Sequence, residues 1–195
     1  EYSTDPDLAD ASTTAGTAVA DTTDFTSAID ISGLAPDTTY YYTPAVNGTA
    51  QYSSSYPTFK TFPAAGAPAA FSFAFGSCTK HNGMPADTIF GQVPSGTRFL
   101  FHLGDTIYAD SDSPAATTLA GYRAKHQLAL TGTDSTTTGW KALRAEMPVF
   151  VMWDDHDITN DFSGGTSDAL YAPAKQAFHE YQGRANPDSL TSGEL

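Results

Sequence analysis

Three clusters of side chains in this sequence have the types and spacing to do chemistry. The densest is Trp153-Asp154-Asp155-His156-Asp157, followed by Asn160 and Asp161. Carboxylates offer oxygen donors for hard cations, and a His among them can give or take a proton near neutral pH. An Asp-rich stretch is ordinarily a solvated loop, because Asp favours turns, so its company matters. In the second cluster, Gly104-Asp105-Thr106-Ile107-Tyr108, a carboxylate and a phenol stand three residues apart. The third is Gly76-Ser77-Cys78, which holds the only cysteine of the chain. A lone Cys usually packs as a small hydrophobe, but beyond a Gly-Ser turn it is better placed as a thiolate ligand or nucleophile. A carboxylate from each of two clusters, with His156, can hold two cations roughly 3.5–4 Å apart. Such a pair clamps a phosphate and activates water as a nucleophile.

Each cluster directly follows an apolar run. Phe71–Phe75 has Phe at alternate positions, Thr97–Leu103 is a second run, and Val149–Trp153 follows Pro148. Short apolar runs bounded by turn residues read as strands, and open α/β sheets bind ligands beyond the carboxyl ends of their strands. Between and after them, Pro85–Val93, Leu119–Leu130, Thr138–Met147 and Ala169–Arg184 read as helices. In the third of these, Trp140, Leu143 and Met147 fall at i, i+3 and i+7. Strands alternating with helices predict an α/β layer with a largely parallel sheet.

Residues 1–63 have a different grammar. Ala18–Ala20, Phe25–Ile31, Tyr40–Val46 and Tyr56–Phe62 read as short strands separated by Gly, Pro, Asp and Asn. Leu34, Pro36, Thr38, Tyr40 and Tyr42 resemble the Tyr corner of fibronectin type III domains, in which Tyr anchors a turn between strands. That sandwich needs about 100 residues in seven strands, so its first strands are expected to be missing here. Residues 64–70, Pro-Ala-Ala-Gly-Ala-Pro-Ala-Ala less its first Pro, have the composition of a linker. Residues 71–195 then form the α/β part.

Composition narrows the function classes. The chain has 195 residues, 40% hydrophobic, with 22 acidic against 9 basic residues and a net charge of -13. That is enough apolar content for a core. It lacks the basic face of a nucleic-acid binder, so bound cations would have to neutralise any phosphate substrate. One cysteine allows no disulfide within the chain, and no run of about 18 apolar residues marks a membrane span. The chain begins at Glu1 without a signal-peptide pattern, as a piece of a longer chain would. Few Lys with many Thr, Ser, Ala and Asp fits a secreted or periplasmic protein.

Taken in order over residues 71–162, these motifs resemble the PhoD-type alkaline phosphatases of the calcineurin-like metallophosphoesterase superfamily. The resemblance rests on Gly76-Ser77-Cys78, His102 to Tyr108, Tyr122-Arg123, and Trp153 to Asp157 with Asn160-Asp161. It implies a fibronectin-like β-sandwich followed by the first half of an α/β metallophosphoesterase sandwich. It implies a metal-dependent phosphodiesterase or phosphomonoesterase holding Fe3+ and Ca2+. Cys78 and Tyr108 would be iron ligands, and Asp105 would bridge iron and calcium. Asp155 stands where the superfamily's Gly-Asn-His-Asp/Glu motif has a metal-binding Asn. His156 stands where that motif's His contacts phosphate or protonates the leaving oxygen. Asn160 would bind a second calcium or the phosphate, and Asp154 and Asp157 would orient their neighbours. Gly-Ser-Cys replaces the superfamily's early Asp-x-His motif. The family's remaining ligands, an Asp and His residues, lie beyond the matched segment, where this chain offers only His179. The isolated 195 residues are therefore expected to be inactive or metal-poor. Two rival readings are a phospholipase D-like enzyme acting on phospholipid diesters and a non-catalytic extracellular binding module with a degenerate site.

Overall fold

Residues 1–79, 92–111, 113–131 and 139–182 are described by the computed structural model, without the side chains of residues 139–142. The helix expected at Pro85–Val93 falls almost wholly outside them. The amino-terminal region builds a small antiparallel sheet from β1 (Tyr2–Ser3), β2 (Thr39–Tyr42) and β5 (Thr58–Lys60), with β2 in the middle. Between β2 and β5, β3 (Ala45–Val46) and β4 (Thr49–Ala50) pair as a hairpin. Asn47 and Gly48 at its tip both have positive φ, the signature of a turn that matches strand twist. Tyr40 is buried, stacks on Phe59 and accepts a hydrogen bond from the Ala35 N–H through its phenol oxygen at 3.0 Å. The Tyr therefore anchors the turn upstream of its own strand, as its spacing predicts.

The strands expected at Ala18–Ala20 and Phe25–Ile31 do not form. Residues 21–23 make a single 3-10 turn, Asp24 and Phe25 have positive φ, and Phe25 is 65% exposed. Local bonds win here: the Thr26 hydroxyl donates to the Thr23 carbonyl at 2.7 Å and the Asp24 N–H to Asp21 at 3.1 Å. Asp and Thr side chains that bond their own backbone compete with a strand ladder. This turn instead docks on the helices. The Thr22 carbonyl accepts from Arg123 at 2.7 Å, and the Asp24 carboxylate accepts from Gln127 at 2.8 Å and from the Tyr181 phenol.

The second sheet is parallel, in the order β6 (Ala74–Gly76), β7 (Leu100–Leu103), β8 (Val149–Met152). Its register pairs Phe75 with Phe101 and Phe101 with Phe150. The strands are shorter than the apolar runs: Phe71 and Phe73 precede β6, and Arg98 and Phe99 precede β7. Three helices follow the pattern of the sequence, α1 (Leu119–Thr131), α2 (Gly139–Glu146) and α3 (Tyr171–Tyr181). Alternation sorts the strands' side chains into two faces. Leu100, Val149 and Val151 are buried against Leu143, Met147 and Phe178. Phe75, Phe101, Leu103 and Met152 lie on the opposite face and are exposed. The Phe alternation before β6 thus continues an aromatic surface rather than a core.

A second core supports the loops beyond the strands. It joins Ile107, Ala109 and Ile158 of those loops to Tyr122 and Ala129 of α1 and Ala174 and Ala177 of α3. The Tyr122 phenol donates to the Ile158 carbonyl at 2.9 Å, and Arg123 makes a two-pronged pair with Glu180 at 2.7 and 2.8 Å. The Tyr-Arg pair is therefore architectural, fixing the loop after β8 and clamping α1 to α3.

Candidate metal centre

Three strand ends come together at the carboxyl edge of the parallel sheet. β6 ends in Gly76 and the chain turns at Cys78, whose φ is +63°. The Cys78 N–H donates to the Gly104 carbonyl at 3.1 Å, and the Thr79 N–H to the Asp105 carbonyl at 3.0 Å, tying this turn to the end of β7. Gly104 has φ +101°, and a Cβ there would sit 2.5 Å from the Asp154 Cβ. Only Gly permits both this conformation and this approach of the β7 and β8 ends. Asp105 follows with φ +57°, a left-handed conformation that short polar side chains tolerate best. Such conformations cost about 1–3 kcal/mol each and gather at functional sites.

Asp157 holds the two loops in register. It is buried, and its two oxygens accept from the backbone N–H groups of Asp105, Thr106, Ile107 and Asp154 and from the Thr106 hydroxyl, all within 3.0 Å. Burial pushes its pKa up to about 6, against the pull of the Thr106 hydroxyl and the backbone N–H donors. The Asp154 side chain accepts from the Asp155 N–H at 2.9 Å and starts the 3-10 turn Asp155–Asp157. Asp157 thus orients the cluster, the role that the family resemblance implies for it.

The Asp105 side chain is the meeting point. Its Oδ2 lies 3.4 Å from the Cys78 Sγ and 3.5 Å from the Tyr108 Oη. Its Oδ1 is buried with no hydrogen-bond partner among the described residues. Carboxylate oxygens of Asp105, Asp154 and Asp155 can all lie within 4.8 Å of one another. Asp154, read from the sequence as an orienting residue, therefore also stands within reach of a cation. Burial, the neighbouring Cys78 and the Asp105 charge raise the Tyr108 phenol's pKa. An orphaned buried carboxylate oxygen beside a thiol, a phenol and two more carboxylates fits a bound cation, which would satisfy the orphan and offset the crowding of acids.

Asn160 stands at the margin. It is exposed, and its side-chain amide donates to Asp161 at 2.7 Å rather than to the Asp105 cluster. The Asp161 N–H donates to Asp155 at 2.5 Å, which fixes the Asp155 carboxylate. The His156 ring lies against Tyr108, with centroids 4.4 Å apart. Its Nδ1 is 2.8 Å from Asp110 Oδ1. Burial pulls the His156 pKa down, but the hydrogen bond and charge of Asp110, with Asp105 and Asp155, raise it overall. Asp110 is the site residue that sequence reasoning missed. Its only signal was a carboxylate two residues beyond Tyr108, with nothing local to name its partner 46 residues away.

A family model described as PhoD-like phosphatase matches residues 73–188, more than half of the chain. The chain belongs to the PhoD-like phosphatase family. It is 29% identical to alkaline phosphatase D of Bacillus subtilis (strain 168), over 78% of this chain and 29% of that protein. It is 41% identical to an acid phosphatase of Aspergillus ficuum, over 48% of this chain and 15% of that protein. A solved structure described as that of PhoD superposes with a TM-score of 0.60 at 28% identity, covering 77% of this chain and 32% of the other. The chain thus spans less than a third of the length of each of these relatives. All three elements that build the site lie inside the matched residues 73–188.

Proposed function

We propose that this PhoD-like chain supplies one wall of the active site of a metal-dependent phosphoric ester hydrolase acting on phosphomonoesters or phosphodiesters. The carrying observation is the convergence of Cys78 and Tyr108 on one oxygen of Asp105, whose other oxygen is buried without a partner among the described residues. Cys78, Asp105 and Tyr108 would hold Fe3+, for which thiolate and phenolate are apt donors. Asp105 and Asp155 would hold Ca2+, an oxygen-seeking cation, and Asn160 would serve a second calcium or the phosphate. When bound, the cations supply the positive charge for phosphate oxygens that this acidic chain lacks, and they acidify water. The chain's own residues do the rest. Asp157 keeps the Asp105 and Asp154 loops in register, and Asp155 is held by the Asp161 N–H. As a hydroxide oxygen bonds to phosphorus in line, the opposite P–O bond breaks and its oxygen takes the proton that His156 gives up. We further infer a fibronectin-like region at 1–63, a linker at 64–70, and a secreted or periplasmic setting in keeping with the composition.

The test uses the intact protein from which these residues come. Hydrolysis of a nitrophenyl phosphate monoester and of its diester should disappear on chelation and return with iron and calcium. A charge-transfer colour should report thiolate and phenolate on iron, and it should be lost in Cys78→Ala and Tyr108→Phe. Hydrolysis indifferent to chelators, or iron bound without colour, would sink this assignment.

A further inference from the structure

We propose that Thr79 and His102 form a strut that positions the Cys78 sulfur against Asp105, setting its place before any cation arrives. The inference rests on the metal-centre reading for its purpose and on geometry alone for the strut. Cys78 has φ +63°, a conformation that strains a residue carrying a Cβ. Asn and Asp tolerate it by bonding their own backbone through a short polar side chain, which Cys lacks. Bonds from outside the residue must therefore hold it there, and three do so. The Cys78 N–H donates to the Gly104 carbonyl at 3.1 Å, and the Thr79 N–H to the Asp105 carbonyl at 3.0 Å. The Thr79 hydroxyl meets His102 Nε2 at 2.7 Å.

The third bond differs from the other two in its anchor. Gly104 and Asp105 have positive φ themselves, +101° and +57°, so bonds that end on them tie one strained turn to another. His102 lies inside β7, paired with Gly76 on one side and Val151 on the other, and it is buried. It is the fixed point of the three. A hydroxyl can donate or accept, so the bond forms whichever ring nitrogen carries the proton. Thr79 directly follows Cys78, and holding both its N–H and its hydroxyl fixes the peptide on the carboxyl side of Cys78. The sulfur then lies 3.3 Å from the Ser77 hydroxyl and 3.4 Å from Asp105 Oδ2. A ligand set tolerates a misplacement of only about 0.5 Å. Thr79 and His102 act through Cys78 and are positioning residues.

The test compares two variants of the intact protein. Thr79→Val keeps the β-branch and removes the hydroxyl, whereas Thr79→Ser keeps the hydroxyl. In chelator-treated protein, hydrogen exchange at the amides of residues 78 and 79 should run about tenfold faster in Thr79→Val and unchanged in Thr79→Ser. Unchanged exchange in Thr79→Val overturns the strut. If Thr79→Val does not fold, Thr79→Ala takes its place in both measurements. Co2+ then probes the sulfur through its near-ultraviolet thiolate charge-transfer band, which Cys78→Ala should abolish. The Co2+ concentration that half-fills the band should rise about tenfold in Thr79→Val and stay within about twofold in Thr79→Ser. A fall in thermal stability with the Co2+ dependence intact overturns the positioning role. Equal shifts in both variants overturn it as well, because the hydroxyl would not be the cause. His102→Gln should shift the band in the same direction, and combining it with Thr79→Val should cost no more than the larger single change. Additive shifts overturn the pairing. If the unaltered protein gives no thiolate band with Co2+, the metal-centre reading fails, while amide exchange still decides whether Thr79 and His102 hold the turn.

Discussion

The two ends of the parallel sheet handle charge in opposite ways. At the end where β7 begins, Arg98 donates to the Thr61 carbonyl at 2.6 Å and to Asp37 at 2.8 Å, and Lys60 lies 3.0 Å from the same Asp37. Those bonds lower the Asp37 pKa and tie the antiparallel sheet to the parallel one. At the end where β7 finishes, Asp105, Asp154 and Asp155 crowd together, and among the described residues no salt bridge joins them to a basic side chain. The first end is complete by itself. The second gathers like charges and buries an unpartnered oxygen, which a folded chain sustains when something cationic comes to it. The difference separates scaffold from site more sharply than the acid content of either loop.

Replacing Asp105 should break that contrast most. In the intact protein Asp105→Asn should lower hydrolysis about a thousandfold, or about 4 kcal/mol of barrier. In chelator-treated protein the same change should raise thermal stability, by on the order of 1 kcal/mol, because a crowded carboxylate is gone. Asn also tolerates the left-handed backbone there. A lower melting temperature in chelator would show that the acids are not in mutual strain. Asp157→Ala should cost about 3 kcal/mol or more in denaturant unfolding, since several shielded N–H groups lose their acceptor together. A cost near zero would mean that the loops keep register without it.

The buried His126 gives the next largest effect. It is fully buried between α1 and α3, neither ring nitrogen has a hydrogen-bond partner among the described residues, and Tyr181 stacks on it at 5.4 Å. Burial, with the Arg144 charge, pulls its pKa down to about 3. A His held below its ordinary value favours folding fully above about pH 6.5, and that stability is lost as pH falls toward 3. His102, lowered to about 4 mainly by burial, acts in the same direction. Asp157, raised to about 6, acts oppositely between pH 4 and 6 and blunts the slope. His126→Phe should therefore remove on the order of 2 kcal/mol of acid sensitivity between pH 7 and 4, read as a flatter profile of urea midpoint against pH. An unchanged slope would place the acid sensitivity elsewhere. Asp37→Asn should have the smallest effect, a slight fall in melting temperature that vanishes in high salt.

Much of this is legible in the sequence alone. The apolar run before each polar cluster located the three parallel strands, because short β-branched and aromatic runs bounded by turn residues favour extended backbone. The run ending at Leu103 placed Asp105 just beyond a strand, and Tyr40 announced its corner. The segment at 18–31 misled, because isolated β-branched and aromatic residues mimic a strand, while Asp21, Thr23 and Thr26 satisfied their backbone locally. Asp110 was invisible for a different reason. Its partners, His156 and the Asn160 N–H, lie on another loop, and no local pattern connects them.

The sequence by itself determined the donors: a thiol, a phenol and carboxylates, each placed just past a strand by turn chemistry that is local. Only the tertiary structure decided which of them share an oxygen, which one caps five donors, and which carboxylate holds the imidazole. Those choices depend on how parallel strands set their ends side by side, a distance relation that no spacing along the chain encodes. The opposite faces of the same sheet were decided in the same way. Alternation sorted Leu100 from Phe101, but only packing placed α2 and α3 over one face and left the aromatic one exposed.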